Sequence, residues 1–174
     1  MPQRTPSQTI GPFFHEALRW KEPGKVTFAG SGGERVVITG RMTDGAGQPV
    51  GDAMIETWQA LPAGSMPASN GGNGNPCAFG RLETGKDGSF RIETRMPESA
   101  APFLDVTIFA RGLLKGLRTR VYLADEAKLR AEPVLKELAS SPRLATLLAQ
   151  RAGDGEYRWD IRLQGEGETV FFAA

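Results

Sequence analysis

The chain of 174 residues contains few of the side chains that most often carry catalysis or metal binding. There is one cysteine, one histidine and two tyrosines in the whole sequence. A transition-metal site made by the protein usually needs several histidine, cysteine or carboxylate ligands that converge on one point, and the sequence shows no such cluster. The single Cys77 also excludes an internal disulfide. These shortages argue against a metalloprotein of the usual kind and against a disulfide-stabilised domain.

The sequence also lacks a large excess of charge of one sign and lacks long hydrophobic runs. Lysine and arginine number 21, aspartate and glutamate number 20, and the formal net charge is +1 at pH 7. Such a balance gives no general attraction to nucleic acid or to an anionic membrane, so any ligand has to be recognised locally. No apolar run approaches the length of a membrane span or of a signal-peptide core. The sequence therefore predicts a cytoplasmic protein.

Residues 1–33 are rich in proline, glycine and threonine and keep neither a helical nor a strand period for long. They predict an extended N-terminal arm. Large apolar side chains such as Ile10, Phe13 and Trp20 gain about 1.5 to 3 kcal/mol each from burial, so the arm is expected to pack on this chain or on a partner. Hydrophobic residues make up 40% of the sequence. This content suits one globular domain, predicted over residues 34–174.

The remainder of the chain alternates between short β-type segments and turns. Strands rich in β-branched and aromatic residues are predicted over Glu34–Asp44, Ala53–Ala60, Arg81–Thr84, Ser89–Thr94, Glu156–Leu163 and Thr169–Phe172. The first two are expected to be antiparallel neighbours, and Lys86-Asp87-Gly88 is expected to join the third and fourth in a hairpin. Glycines and prolines between Leu61 and Phe79 predict a long surface loop.

A central β-hairpin is predicted over Phe103–Leu123, with its turn at Gly112–Gly116. Short helical segments are expected over Asp125–Leu138, and a clearer helix is expected to begin at the N-cap Ser141 and to end at Gly153. Many short strands with little helix indicate an all-β fold, either a sandwich or a barrel. The helices are then an insertion before the last strands.

Four side chains could carry chemistry, and each has a simpler structural interpretation. His15 in the arm suits a local hydrogen bond better than metal ligation. A nucleophilic pair of Cys77 and His15 is formally possible, but nothing near Cys77 in the sequence would orient it. Glu56 on a predicted strand and Asp105 in the central hairpin could be buried acids, although strand carboxylates more often bond to nearby backbone or arginine groups.

The central hairpin is basic. It carries Arg111 at its turn, followed by Lys115, Arg118 and Arg120. Charged residues in such a group usually form a solvated face, but they could also attract an anionic substrate. Taken singly, the residues predict a β-rich domain without a catalytic centre of its own.

Several motifs together resemble the intradiol ring-cleavage dioxygenase family. They are Gly47-Gln48-Pro49-Val50, Ala53-Met54-Ile55-Glu56-Thr57-Trp58-Gln59-Ala60, Gly80-Arg81 and Lys86-Asp87-Gly88-Ser89-Phe90. The segments Thr5–Phe13, Phe109–Gly112, Thr119–Tyr122 and Tyr157–Phe172 are similar to the alpha chains of those family members that are built from two kinds of chain. The resemblance spans nearly the whole sequence.

The resemblance implies a β-sandwich of two sheets, with the arm before it and the short helical insertion before the last strands. Catalytic chains of the family hold ferric iron with two tyrosines and two histidines, and the histidines alternate along the first strand of the central hairpin. Phe103 and Asp105 stand at those positions here, and the loops that should supply the tyrosines contain none. The resemblance therefore implies an iron-free chain without catalytic residues, in which Tyr122 and Tyr157 belong to the core.

By the same resemblance, the working enzyme is a hetero-oligomer whose homologous beta subunit carries Fe3+. It is expected to add both atoms of dioxygen to protocatechuate, to open the ring between the hydroxyls and to yield 3-carboxy-cis,cis-muconate. Thr9, Gly11 and Pro12 match an alpha-chain segment that reaches the partner's pocket, and Arg111 matches an arginine near the pocket mouth. These four are the predicted substrate-binding residues. The alternative is a free-standing β-sandwich that binds or carries a ligand without catalysis.

Overall fold

The computed structural model describes residues 9, 11, 14–18, 23–26, 33–60, 77–99 and 101–173. Nine strands in this part of the chain form two sheets. The strands are β1 (Arg35–Thr43), β2 (Met54–Ala60), β3 (Cys77–Glu83), β4 (Ser89–Arg95), β5 (Phe103–Phe109), β6 (Leu117–Tyr122), β7 (Gln150–Gly153), β8 (Glu156–Arg158) and β9 (Ile161–Arg162).

The two sheets differ in their topology. The first has five strands in the order β4-β1-β8-β7, with β9 beside β1. In it β1 is antiparallel to β4 and parallel to β8 and β9. The second has four strands in the order β3-β2-β5-β6, and all its pairs are antiparallel. Two sheets with few and short helices confirm the predicted all-β sandwich.

Hydrophobic side chains from both sheets form one core between the layers. The alternation of each strand produces this core, because successive side chains of a strand point to opposite faces. In β5, Leu104, Val106 and Ile108 are buried, whereas the residues between them are half-buried. This strand therefore directs Phe103 and Asp105 away from the core, onto the outer face of the second sheet.

Two predictions about strand pairing are wrong. β1 and β2 lie in different sheets and are not neighbours. β3 and β4 also lie in different sheets, although the turn predicted at Lys86-Asp87-Gly88 is present, with Gly88 at φ 76°. Apolar alternation shows which face of a strand is buried but not which strand lies beside it. Here the turn carries the chain from one sheet to the other.

Part of the N-terminal arm packs on this chain. It contains α1, a single helical turn over Phe14–Ala17 whose first residue is buried, so the arm is not extended throughout. The Gly24 N–H donates to the Arg81 carbonyl of β3 at 3.0 Å, and the Val26 N–H donates to the Glu93 carbonyl of β4 at 2.8 Å. Since β3 and β4 are the edge strands of the two sheets, the arm joins the sheets along one side.

The predicted limits of the arm and of the domain, residues 1–33 and 34–174, remain a prediction. Of the apolar arm residues, Ile10, Phe13 and Trp20 lie outside the described residues.

Short helical segments lie between β6 and β7, as predicted. They are α2 (Glu126–Arg130) and two 3₁₀ helices, Pro133–Leu138 and Pro142–Leu147. Ser141 caps the last one, because its side-chain oxygen accepts a hydrogen bond from the Arg143 N–H at 3.2 Å. Among the described residues, no helix is both long enough and apolar enough to cross a membrane.

Several predicted element ends are wrong. The helix that follows Ser141 ends at Leu147 rather than at Gly153. The strand predicted over Glu156–Leu163 is divided into β8 and β9, because the Asp160 carboxylate, instead of a backbone carbonyl, accepts the Arg41 N–H between them at 2.9 Å.

The segment predicted as the last strand, Thr169–Phe172, forms one isolated bridge, between Phe172 and β6. The loop predicted up to Phe79 ends earlier, since β3 begins at Cys77; residues 61–76 of that loop lie outside the described residues.

Candidate functional site

The outer face of the second sheet carries the two positions, Phe103 and Asp105, at which the resemblance expects metal ligands. Strand register arranges side chains in rows across this face. In one row, Trp58 of β2 is opposite Asp105 of β5, which is opposite Arg120 of β6. In the adjacent row, Phe103 is opposite Tyr122.

Arg120 lies at the centre of a group that we call the Arg120 cluster, formed by Phe103, Asp105, Arg120, Tyr122 and Phe172. Its Nε donates to Asp105 Oδ1 at 2.8 Å, and its Nη1 donates to the Tyr122 hydroxyl at 3.4 Å. Its guanidinium carbon lies 4.2 Å from the centre of the Phe103 ring and 5.9 Å from that of the Phe172 ring. The Arg120 side chain is 23% exposed. The guanidinium is thus held by a carboxylate, a hydroxyl and two aromatic rings.

Burial and hydrogen bonds shift the pKa values of Arg120 and Tyr122 in the Arg120 cluster. Burial lowers the pKa of Arg120, but its hydrogen bonds to Tyr122 and Asp105 raise that pKa by more, so it lies above its ordinary value. Burial raises the pKa of the Tyr122 hydroxyl, and Arg120 offsets only part of this rise. The cluster therefore holds a charged guanidinium beside a neutral phenol at physiological pH.

The two carboxylates that could have been catalytic acids are both engaged by arginine. Nε and Nη2 of Arg81 donate to Glu56 Oε1 at 3.0 and 2.6 Å, and Asp105 is bonded to Arg120. The Glu56 side chain is only 16% exposed. These hydrogen bonds confirm the prediction that Glu56 and Asp105 bond to nearby groups of the protein rather than act as catalytic acids.

The other two candidate side chains are not described. His15 lies in α1 and Cys77 is the first residue of β3. The side chains of both lie outside the described part of the chain, so the pairing of Cys77 with His15 stays an untested alternative.

The turn after β5 brings two of the predicted substrate-binding residues together. Thr9 of the arm donates its hydroxyl to the Ala110 carbonyl at 3.2 Å and accepts a hydrogen bond from the Gly112 N–H at 3.0 Å. Between these two positions, Arg111 Nε donates to Asp52 Oδ2. The Arg111 side chain is 67% exposed and that of Asp52 is 26% exposed. We call this group of five residues the turn contact.

Of the remaining two predicted substrate-binding residues, Gly11 and Pro12, the structure describes Gly11. In the described structure, a Cβ added to Gly11 meets no atom within 4 Å, so this chain itself does not require glycine there for space. Pro12 lies outside the described residues. Asp52 was missed in the sequence, because it stands in a turn before β2 and its partner Arg111 follows 59 residues later.

Comparison with known proteins relates the whole chain to one group of enzymes. A family model described as Dioxygenase matches residues 10–103. The chain is 38% identical to the protocatechuate 3,4-dioxygenase alpha chain of Burkholderia cepacia, over 98% of this chain and 97% of that one. It is 36% identical to the alpha chain of Pseudomonas putida, over 97% and 95%. The beta chain of B. cepacia is 26% identical over 79% of this chain and 67% of that one.

Solved structures agree on the fold. The dioxygenase domain of a carbohydrate-binding fusion protein from Streptomyces sp. SirexAA-E matches with a TM-score of 0.58 and 23% identity, over 94% of this chain and 99% of that one. The 3-chlorocatechol 1,2-dioxygenase of Rhodococcus opacus 1CP matches with a TM-score of 0.55 and 16% identity, over 92% and 68%. The chain belongs to the intradiol dioxygenase family and, within it, to the protocatechuate 3,4-dioxygenase alpha chains.

Proposed function

We propose that this chain is the iron-free alpha subunit of a heteromeric protocatechuate 3,4-dioxygenase and helps to form the substrate pocket of a homologous beta subunit. The assembly, which we place in the cytoplasm, adds both atoms of dioxygen to protocatechuate. It opens the ring between the two hydroxyls and yields 3-carboxy-cis,cis-muconate. The observation that carries the proposal is the likeness to two alpha chains along nearly the whole sequence, which exceeds the likeness to a beta chain. The comparisons give no support to a free-standing binding or carrier domain.

Intradiol dioxygenases depend on iron, and the described residues of this chain do not fit that metal. Of the two strand positions in question, Phe103 offers no donor atom and Asp105 is bonded to Arg120. A metal cation at this place would also meet the guanidinium charge at short range. In the described part of the chain, no three His, Cys, Asp or Glu side chains lie together as a possible metal site. These observations support the assignment of Fe3+ to the beta subunit.

We assign to this chain a contribution through its edge, at the turn contact. Because Thr9 is bonded on both sides of Arg111, the arm and the Arg111 guanidinium are presented together. Such a cation raises the local concentration of a carboxylate substrate, and salt weakens the effect. The Asp52 carboxylate cancels part of the charge of Arg111 and so moderates this attraction. Thr9, Gly11, Pro12 and Arg111 are the residues that we propose to line the partner's pocket.

The proposal is tested by purifying this chain and the beta chain separately. Iron content and oxygen consumption with protocatechuate are measured for each chain and for their mixture. We expect this chain alone to hold no stoichiometric iron and to consume no oxygen, and the mixture to elute as a larger species that cleaves the ring. Stoichiometric ferric iron with ring cleavage in the isolated chain contradicts the proposal, and so does a failure of the two chains to associate.

Gly11 tests the position of the arm. Since a Cβ there meets open space in the described structure, Gly11→Val should leave the thermal unfolding of the isolated chain unchanged. If the arm reaches the partner's pocket, the same change lowers the turnover of the complex, and Gly11→Ala, the smaller control, lowers it less. Unchanged turnover and substrate affinity in Gly11→Val would place the arm elsewhere.

A further inference from the structure

We propose that the outer face of the second sheet holds a binding site of its own for an aromatic monocarboxylate, centred on Arg118. An open cavity of about 520 Å³ lies on this face. Its lining includes Trp58 of β2, Thr107 of β5, Arg118 of β6, Val134 of the first 3₁₀ helix and Phe172. The site lies entirely on this chain and so goes beyond the contribution to a partner's pocket proposed above.

Among the described residues, the charges on this face leave one cation, that of Arg118, without a partner. Glu56 is paired with Arg81, and Asp105 is paired with Arg120. The side chain of Arg118 forms no hydrogen bond or ion pair within the described residues, and the residue opposite it on β5 is the neutral Thr107. Counted over the described residues, the cavity has an excess of one positive charge, which suits a ligand with a single negative charge.

The cavity also collects apolar surface. Among the described residues, four large hydrophobic side chains are exposed, and two of them, Trp58 at 41% and Val134 at 60%, line this cavity. The Trp58 ring is held in place by the Phe79 ring, whose centre is 4.5 Å away. A fixed and partly exposed indole is a platform on which another aromatic ring can stack. This surface favours an aromatic acid over a small inorganic anion.

The spacing between Trp58 and Arg118 allows one ligand to contact both side chains. Trp58 and Arg118 stand two strands apart and two residues out of register, which corresponds to about 12 Å between their Cα atoms. Thr107 lies between them, and its hydroxyl has no hydrogen-bond partner among the described residues. A ring stacked on Trp58 can thus direct its carboxylate to the Arg118 guanidinium while accepting a hydrogen bond from the Thr107 hydroxyl.

The test uses the isolated full chain, so neither the partner nor turnover enters the result. Benzoate is titrated while the ¹H–¹⁵N NMR signals of the protein are recorded. We expect saturable shifts at the Trp58 indole N–H and at the backbone amides of Thr107 and Arg118. Acetate, which lacks the ring, and benzamide, which lacks the charge, should each bind at least tenfold more weakly. Absence of saturation, or equal binding of all three probes, overturns the proposal.

Matched variants locate the site. Arg118→Leu should weaken benzoate binding at least tenfold and Thr107→Val should weaken it to a smaller extent, whereas Arg118→Lys retains part of the affinity. Arg151, whose exposed side chain lies on β7 of the other sheet, supplies the control Arg151→Leu. Equal loss in Arg118→Leu and Arg151→Leu overturns the site, because binding would then follow the general charge of the surface. A failure of the chain to join a beta subunit leaves this outcome unaffected.

Discussion

The Arg120 cluster and the turn contact lie on the same β-hairpin but hold their arginines in different ways. Arg120 is 23% exposed and is enclosed by Asp105, the Tyr122 hydroxyl and two rings. Arg111 is 67% exposed and is bonded to the single carboxylate of Asp52. An enclosed cation contributes to the stability of the fold, since its removal leaves polar and aromatic groups without a partner. An exposed cation contributes little stability but keeps a field that a charged ligand can sense.

The contrast shows that one hairpin can use one arginine to stabilise the fold and another to present a charge to a ligand. On the outer face of β5 and β6, Phe103 and Asp105 stand at the positions that the resemblance associates with metal ligands. Both side chains contact Arg120. At the turn, polar groups attach the arm while the Arg111 guanidinium stays largely open to water. Each of the following changes alters one side of this comparison.

Arg120→Ala should have the largest effect on stability. The change removes two cation–π contacts and leaves Asp105 and the Tyr122 hydroxyl without their partner, so we expect a loss of about 2 to 3 kcal/mol in the free energy of unfolding. Urea unfolding measures it. Arg111→Ala is the matched control and should cost less than about 0.5 kcal/mol. If the two variants lose the same stability, the distinction between enclosed and exposed arginine is wrong.

Thr9→Val should have an intermediate effect on stability and a larger one on the arm. The variant keeps the shape of the side chain but loses both hydrogen bonds to the turn, which are worth about 1 kcal/mol together at an exposed position. Hydrogen exchange of the Gly112 amide should become faster, and the turnover of the complex should fall. Thr9→Ser, which keeps the hydroxyl, should restore protection of that amide. Unchanged exchange in Thr9→Val would mean that the arm does not hold the turn.

Tyr122 makes the stability of the Arg120 cluster depend on pH at the alkaline end. Because the pKa of Tyr122 is raised in the folded state, the folded chain keeps the phenol proton at pH values where the unfolded chain, with a pKa of about 10, has released it. The folded state then binds more protons, so stability falls as pH rises above about 10. Tyr122→Phe should lose less stability over this interval in urea unfolding. If stability falls equally with pH in both proteins, the raised pKa of Tyr122 is not the cause of the fall.

Changes to the charge pair of the turn contact should affect stability least. Arg111→Ala should raise the apparent KM of the complex for protocatechuate mainly at low ionic strength, because salt screens an exposed charge. Asp52→Asn removes the opposing carboxylate and should lower the apparent KM under the same conditions. Steady-state kinetics at several salt concentrations measure both. Equal effects at all salt concentrations, or a change in the same direction for both variants, argue against electrostatic attraction by Arg111.

The sequence predicted much of the fold because its strands alternate clearly. The hairpin over Phe103–Leu123 follows from a period of two residues, which is a local property. Strand neighbours were harder to predict: the turn at Lys86-Asp87-Gly88 has hairpin residues, yet it connects strands of different sheets. The division between β8 and β9 depends on the Asp160 side chain, which bonds to Arg41 far away in the sequence.

The candidate site shows the same limit. Family resemblance named Thr9 and Arg111, but nothing in the sequence indicated that they meet at one turn or that Asp52 joins them. The sequence also did not predict the cavity beside Arg118, because its lining comes from three strands and from segments that follow them.

The sequence by itself determined the all-β class, the family and the lack of histidine at the two strand positions, because motifs, composition and alternation are carried by neighbouring residues. The tertiary structure decided which charges are neutralised and which remain available. Arg118, Arg120 and Arg111 are equivalent cations in the sequence, but only one of them is enclosed, one is paired at the surface and one faces a cavity without a carboxylate partner in the described residues. Burial and pairing depend on groups brought together by the strand register and by packing, and these groups are distant in the sequence.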